Sequence, residues 1–161
     1  MKVFKFGGAS VKDAAGVKNL SSIVHQQHGQ LIVVVSAMGK TTNLLETLCN
    51  AYFHQDPKTT AIMKELKNFH LDIVNTLFPL NDTIHKHLEE LFTSLENILA
   101  SESSLCYDYE YDRIICFGEL ISTTIISDYL KMEGIENQFI DIRKFLKTDQ
   151  NYRNANIDLE L

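Results

Sequence analysis

The sequence has few cysteines and no long hydrophobic run, and each shortage excludes a class of protein. Cys49, Cys106 and Cys116 are its three cysteines, an odd number without a C-x-x-C pair. We therefore expect no disulfide framework, and we expect the protein to reside in a reducing compartment. No stretch approaches the ~18 consecutive apolar residues of a membrane helix, and the first residues lack the apolar core of a signal peptide. We expect a soluble, cytoplasmic protein.

The sequence also lacks a block of basic residues. Its 15 lysines and arginines are interspersed with 21 acidic residues, giving a formal net charge of −6. Nucleic acid is not an expected partner, because a phosphate backbone is bound by clustered basic side chains. A small anion remains compatible with this composition, since one lysine and a few backbone N–H groups are enough to bind it. The composition is ordinary for a globular protein, and the chain is long enough for one domain with a buried core.

The first fifty residues predict the start of a parallel α/β fold. Two short apolar segments are each followed by a polar loop and then by a segment of helical periodicity. The predicted elements are a strand over 2–6, a helix over about 14–28 capped by Asp13, a strand over 31–35 and a helix over about 42–54. The second strand is a continuous apolar run, which is typical of a strand buried on both faces. This order of elements indicates a parallel sheet core.

The rest of the chain predicts mainly helices. Apolar residues recur at a period of 3.6 over 58–102, which indicates an amphipathic helical insertion on the α/β scaffold. The predicted elements are this insertion, placed at about 58–108 and interrupted at Pro79 and Asn81, a helix from about Tyr109 to Met132, a third strand over 138–142 and a polar tail from Lys147.

Lys5 and the glycine pair that follows it form the first candidate site. Lys5 lies at the carboxyl end of the first predicted strand, where ligands bind in open parallel sheets. Gly7 and Gly8 allow backbone N–H groups to approach a phosphate closely, and a lysine beside them can neutralise charge on a transferring phosphoryl group. A tight turn with a solvated lysine fits the same residues at least as well.

The loop after the second strand is the second candidate site. Its Gly-Lys-Thr sequence resembles the end of a P-loop, but that signature requires a glycine where Val34 stands. What remains is a hydroxyl-rich loop, with Ser36 at the strand end and Thr41 and Thr42 at the start of a helix. These hydroxyls serve either as helix caps or as ligands of an anionic substrate, and the residues alone leave both alternatives open.

Glu119 is the third candidate, because it is the one charged residue in an apolar segment over 114–121. A helix that is apolar all round is usually buried, and a buried carboxylate is costly unless it is paired. We therefore expect a cationic partner from the protein or from a ligand. Gly118 costs the helix about 1 kcal/mol relative to alanine, which indicates a close approach to the backbone. An internal salt bridge or simple solvent exposure remain alternatives.

Together these three segments resemble the amino-acid kinase family, and within it the aspartate kinases. Residues 5–11 are similar to the family's K-F-G-G-T-S-V, residues 33–43 to its V-V-V-S-A-M-x-x-T-T-x, and residues 117–122 to its G-E-x-x-S helix. The resemblance covers essentially the whole chain. It implies a three-layer α/β fold of the amino-acid-kinase (carbamate-kinase-like) type, with a parallel sheet core and a helical insertion, of which 1–161 is the N-terminal part.

The resemblance also implies an activity, namely phosphoryl transfer from ATP, with Mg²⁺, to the β-carboxylate of L-aspartate. The product is 4-phospho-L-aspartate, at the first step of lysine, threonine and methionine biosynthesis. Lys5 is implied to be catalytic, and Glu119 to bind the α-ammonium group of aspartate. The implicated residues are Lys5, Phe6, Gly7, Gly8, Ser10 and Ser36 at the nucleotide, and Ser36, Thr42 and Glu119 at the amino acid. No protein-held metal site is expected, and a homo-oligomer is implied for the full-length protein.

Two departures from the family pattern matter. Ala9 replaces the threonine of the glycine loop, so that its hydroxyl is lost or supplied by Ser10. Nothing after Asn151 resembles the family's later segment, which carries the nucleotide-base pocket, or its regulatory ACT domains. We therefore expect an incomplete kinase domain with little activity alone. A kinase for glutamate, acetylglutamate or carbamate, and a non-catalytic module that binds an anion or a partner, are the alternatives.

Overall fold

The computed structural model of the protein describes residues 1–78 and 82–158. The strands are β1 (Lys2–Phe6) and β2 (Leu31–Val35), and the helices are α1 (Ala14–His25), α2 (Thr41–Phe53), α3 (Thr59–Leu77), α4 (Asp82–Ala100), α5 (Tyr107–Ile115) and α6 (Phe117–Met132), with short 3-10 helices at Gly8–Val11 and Ile142–Lys144. Within the described ranges, no helix is both long and apolar enough to cross a membrane. Pro79 and Asn81, the predicted interruption of the insertion, lie outside the described residues.

The two strands confirm the predicted parallel start of the fold. β1 and β2 pair in parallel, with Lys2 opposite Leu31 and Phe6 opposite Val35, and α1 forms the crossover between them. Asp13 caps α1 as predicted, because its side chain accepts a hydrogen bond from the Gly16 N–H at 2.8 Å. Since parallel strands end at the same edge of a sheet, the loops after β1 and β2 emerge side by side.

The prediction that β2 is buried on both faces is wrong for the described part of the chain. Successive strand residues point to opposite faces, and Leu31, Val33 and Val35 are half-buried against the core. Ile32 and Val34 point the other way and are 45% and 44% exposed. In the region that the structure describes, the core packs on one face of the sheet.

The predicted helical insertion is confirmed as a pair of long helices, α3 and α4. Each buries one apolar stripe and leaves the opposite face to solvent, as amphipathic helices do. The buried stripe comprises Met63, Leu66, Ile73, Val74 and Leu77 on α3 and Ile84, Leu88, Phe92 and Leu95 on α4. α3 packs on α2 and α4 packs on α6, so the insertion shares one core with the α/β part.

Two predictions in the second half of the chain are corrected. The single helix from Tyr109 to Met132 is two helices, α5 and α6, which meet at Cys116. Cys116 keeps right-handed helical dihedrals (φ −58°, ψ −19°), so the apolar periodicity continues across the break and conceals it.

The expected third strand is the other correction. Residues 138–142 do not pair with either strand of the described sheet, and they lead into the 3-10 helix Ile142–Lys144. The segment is apolar but has no strand beside it to share backbone hydrogen bonds, and Ile140 and Ile142 are 57% and 55% exposed. Over 147–158, the described part of the polar tail, Thr148 and Ile157 form an isolated antiparallel bridge.

Candidate functional site

The loops that follow the two strands are hydrogen-bonded to each other. The Ser36 N–H donates to the Phe6 carbonyl at 3.0 Å, and the Gly39 N–H donates to the Gly8 carbonyl at 3.0 Å. The first contact continues the strand pairing past the end of β2. The second ties the glycine loop to the hydroxyl-rich loop. The first and second candidate sites therefore form one surface at the sheet edge.

The two glycines of the first loop have different surroundings. A Cβ on Gly8 would lie 2.6 Å from the Ala37 carbonyl oxygen, so the absence of a side chain there lets the two loops pack. A Cβ on Gly7 would have no atom of the described chain within 4 Å. Gly7 and Lys5 are both exposed, and Ser10 is exposed in the 3-10 helix that follows. The open side of this loop is thus at Gly7 and not at Gly8.

The N-terminal part of α6 reaches the second loop through two side chains. Glu119 Oε1 accepts a hydrogen bond from the Ala37 N–H at 3.1 Å, and Ser122 Oγ donates to the Ser36 carbonyl at 2.9 Å. These two backbone groups belong to the same peptide unit. The third candidate site therefore joins the other two at the sheet edge.

Gly118 explains how α6 comes so close to the loop. A Cβ at this position would lie 2.8 Å from Ala37 Cβ and 3.2 Å from Leu45 Cδ1. The close approach that Gly118 indicated is confirmed, and the group that approaches is the protein's own loop. A larger residue here would push α6 away from the Ser36–Ala37 peptide.

The expectation of a buried Glu119 is wrong. α6 is buried on nearly all sides, as its composition predicts, but Glu119 itself is exposed. It lies in the first turn, where the helix leaves the core at the sheet edge. Among the residues that the structure describes, no basic side chain forms an ion pair with it. Its remaining oxygen is thus available to a cationic ligand.

The two threonines at the start of α2 are not equivalent. Thr41 is buried and Thr42 is half-buried. In the described structure α2 has no side-chain cap, so the capping alternative for these hydroxyls does not hold. The Thr41 hydroxyl instead lies 3.3 Å from Nε2 of His70, a residue of α3.

His70 is a contact of the site that sequence reasoning missed. It is fully buried, and its Nδ1 lies 2.8 Å from the Leu66 carbonyl. A carbonyl only accepts, so Nδ1 carries the proton and Nε2 accepts from the Thr41 hydroxyl. Burial lowers the pKa of His70 to about 4, against a smaller opposing effect of the Leu66 hydrogen bond, so the ring is neutral. The sequence did contain a signal for this contact. His70 lies four residues after Leu66, at a position of the apolar stripe of α3 where an apolar residue is expected.

Two grooves on the surface differ in where they lie relative to the candidate residues. One of about 760 Å³ lies where α2 and α4 end and α3 begins, and none of the candidate residues lines it. A smaller one of about 320 Å³ is lined by Lys40 and Thr41 and lies beside the second loop, between α2 and α3. In the described part of the chain, no group of three or more histidine, cysteine or acidic side chains is placed to hold a metal ion.

The chain matches the model of the amino acid kinase family over residues 1–159, and it belongs to that family. It is 31% identical to aspartokinase 2, chloroplastic, of Arabidopsis thaliana, over 96% of this chain and 29% of that protein. It is 27% identical to lysine-sensitive aspartokinase 3 of Escherichia coli (strain K12), over 98% of this chain and 34% of that protein.

The fold is also that of a solved aspartokinase. The structure of E. coli aspartokinase III in complex with aspartate and ADP matches this chain with a TM-score of 0.85 and 26% identity, over 98% of this chain and 35% of that one. The amino-acid-kinase fold predicted from the motifs is confirmed. The chain spans about a third of the length of the relatives that it matches.

Proposed function

We propose that the protein to which this chain belongs is an ATP-dependent aspartate kinase. It would transfer the γ-phosphoryl group of ATP to the β-carboxylate of L-aspartate, giving 4-phospho-L-aspartate and ADP, at the first step of lysine, threonine and methionine biosynthesis. The observation that carries the proposal is the junction of three segments at one sheet edge, where α6 holds the Ser36–Ala37 peptide beside the glycine loop. The aspartokinases among its relatives, one of them solved with aspartate and ADP, support the choice of substrates.

The glycine loop has the features that a nucleotide phosphate requires. Lys5 presents an exposed cation at the end of β1, and the space beside Gly7 leaves its backbone open to a ligand. We assign Lys5 to the transferring phosphoryl group, where its charge stabilises the transition state. Phe6, Gly8 and Ser10 shape the loop, and Ser10, which is exposed, would supply the hydroxyl that Ala9 lacks.

Glu119 has the features that the α-ammonium group of aspartate requires. One of its oxygens is fixed by the Ala37 N–H, which orients the carboxylate, and its side chain is exposed to the site. An ammonium group bound to an oriented carboxylate gives a charge-assisted hydrogen bond, which is stronger than a neutral one. Ser36 and Thr42, at the two ends of the second loop, complete the proposed contacts with aspartate.

No general base is needed for the proposed reaction. The β-carboxylate of aspartate has a pKa of about 4, so it is already ionised near neutral pH. Catalysis then consists of holding the carboxylate in line with the phosphoryl group and of stabilising the charge that moves between them. Lys5 supplies charge, and Glu119 with the second loop supplies position.

We propose that Mg²⁺ acts as a complex with ATP. Mg²⁺ keeps several waters and binds through one or two carboxylates and the substrate phosphates, so it needs no cage of protein ligands. A cytoplasmic homo-oligomer is part of the proposal and depends on the resemblance alone.

A coupled assay of ADP release on the whole protein tests the proposal. We expect release that depends on aspartate and is absent with glutamate, acetylglutamate or carbamate. Lys5→Ala should lower kcat about a hundredfold or more while the affinity for aspartate changes by less than about threefold, because the lysine acts on the phosphoryl group. ADP release with a different amino acid, or an equal loss of kcat and of aspartate binding in Lys5→Ala, would count against it.

A further inference from the structure

His70 is a buried polar side chain to which the proposed reaction gives no role. It lies on α3, in the helical insertion, and is 0% exposed. Both ring nitrogens are in hydrogen-bond contact, Nδ1 with the Leu66 carbonyl at 2.8 Å and Nε2 with the Thr41 hydroxyl at 3.3 Å. A buried imidazole is tolerated when both nitrogens have partners. Here the second partner belongs to another element, at the edge of the candidate site.

The hydrogen bonds run in one direction only. The Leu66 carbonyl accepts the proton of Nδ1, so Nε2 must accept, and the Thr41 hydroxyl must donate to it. The hydroxyl of Thr41 is thereby committed to α3, and its side chain is held in one rotamer. A protonated ring would donate from both nitrogens, so the Thr41 hydroxyl would have to turn and accept from Nε2.

Thr41 transmits this constraint to α6. Its Cγ2 lies 3.6 Å from the position that a Cβ would take on Gly118, so the methyl group of Thr41 packs on the first turn of α6. Its N–H donates to the Met38 carbonyl at 3.0 Å, which closes the turn of the second loop. Thr41 thus contacts α3 through its hydroxyl and α6 through its methyl group, one residue before Thr42.

Phe69 provides a second contact between α3 and the same turn. Its Cζ lies 3.5 Å from the position that a Cβ would take on Gly39. Gly39 has a φ of 56°, in the left-handed region that favours glycine. Two successive residues of α3 therefore hold the turn over 39–41, one by packing and one by a hydrogen bond.

We propose that His70 is a positioning residue for the aspartate subsite, acting through Thr41 on the start of α2 and the first turn of α6. This inference rests on the proposed function, because it assumes that Thr42 and Glu119 bind aspartate. It assigns the helical insertion a part in substrate binding, beside its part in the core. Loss of the His70–Thr41 hydrogen bond should therefore affect aspartate and leave the nucleotide nearly unaffected.

A double-mutant cycle on the whole protein tests the inference, with Thr41→Val, His70→Leu and the pair of them. Each single variant should raise the KM for aspartate about fivefold to tenfold, the effect of one hydrogen bond, while the KM for ATP changes by less than about twofold. The double variant should be no worse than the single ones, because both remove the same contact. His70→Gln, whose side-chain oxygen can accept from Thr41, should restore much of the affinity.

Thr47→Val is the matched control. Thr47 belongs to α2, as Thr41 does, but it is exposed, and its hydroxyl donates to the Asn43 carbonyl at 2.9 Å. Loss of this hydroxyl should leave the KM for aspartate and the KM for ATP unchanged. If His70→Leu does not fold, Thr41→Val and His70→Gln still decide the matter, since each keeps the shape of the core.

The outcomes separate the inference from the proposed function. A wild-type protein without aspartate-dependent ADP release would overturn both. An active wild type in which Thr41→Val and His70→Leu lower only the thermal stability, with an unchanged KM for aspartate, would overturn the inference alone. Additive effects in the double variant would also overturn it, because they would show that His70 and Thr41 act separately.

Discussion

Glu119 and Ser122, one turn apart on α6, bind opposite sides of a single peptide group. The carboxylate of Glu119 accepts from the N–H of Ala37, and the hydroxyl of Ser122 donates to the carbonyl of Ser36. One helix turn thus satisfies both polar groups of a peptide at the end of a strand, where the sheet no longer does so. These two hydrogen bonds fix the Ser36–Ala37 peptide, and thereby the position of the residues on either side of it.

Ser122→Ala should destabilise the fold by about 1–3 kcal/mol, because it leaves the part-buried Ser36 carbonyl without its donor. Ser122 is 0% exposed, so water cannot replace the hydroxyl without entering the core. Ser94→Ala on α4 is the control, since Ser94 is exposed and bonds only to the Glu90 carbonyl of its own helix. Its cost should stay below about 0.5 kcal/mol. Equal effects of the two variants in denaturant unfolding would argue against a structural role for the Ser122–Ser36 hydrogen bond.

Gly118→Ala should destabilise the protein, although alanine is the better helix former by about 1 kcal/mol. The added Cβ would meet Ala37 Cβ at 2.8 Å and Leu45 Cδ1 at 3.2 Å, and such overpacking costs about 1–3 kcal/mol. Because the clash separates α6 from the loop, the KM for aspartate should rise as well. A more stable variant with an unchanged KM would contradict the close packing described here.

Gly8→Ala should affect mainly stability, and Gly7→Ala should affect mainly nucleotide binding. Gly8→Ala places a Cβ 2.6 Å from a backbone oxygen of Ala37 and should destabilise the fold. Gly7 has an extended backbone (φ −76°, ψ 164°) that alanine also adopts, and its Cβ would enter open space within the described structure. Gly7→Ala should therefore keep the melting temperature and raise the KM for ATP. Unchanged ATP kinetics would remove Gly7 from the site.

The stability of the protein should fall as the pH is lowered from about 6.5 towards 4. Burial lowers the pKa of His70 from 6.5 to about 4 in the folded state. Between these values the unfolded chain binds a proton that the folded chain does not, so acid favours unfolding, by up to about 3 kcal/mol. In His70→Gln this part of the pH dependence of the free energy of unfolding should disappear. An unchanged slope would mean that His70 is already protonated in the folded protein.

Periodicity was enough to predict most of the elements. The strands, their parallel order, α1, α2 and the helical pair follow from local patterns, because each pattern is set by the faces that an element buries. The break at Cys116 was not predictable in this way, since its backbone stays helical and the apolar pattern runs through it. The expected strand over 138–142 failed because a strand depends on a neighbour, which local sequence does not supply.

The motifs in the sequence predicted which segments form the candidate site, but not the contacts between them. Lys5, Ser36 and Glu119 lie on three segments that the structure brings to one edge of the sheet. The exposure of Glu119 and the hydrogen bond between Thr41 and His70 depend on how helices pack. The residues that pack together are tens of positions apart in the sequence. A histidine on an apolar stripe is a detectable signal, but its partner becomes known only from the fold.

The kinetics of Glu119→Gln test the central claim most directly. Glutamine keeps an oxygen for the Ala37 N–H, so the loop and the melting temperature should be preserved, but it has no charge for an ammonium group. We predict a KM for aspartate raised about tenfold to a hundredfold, as expected for a lost charged hydrogen bond, with the KM for ATP within about twofold of wild type. A KM for aspartate that stays within twofold of wild type would contradict the account.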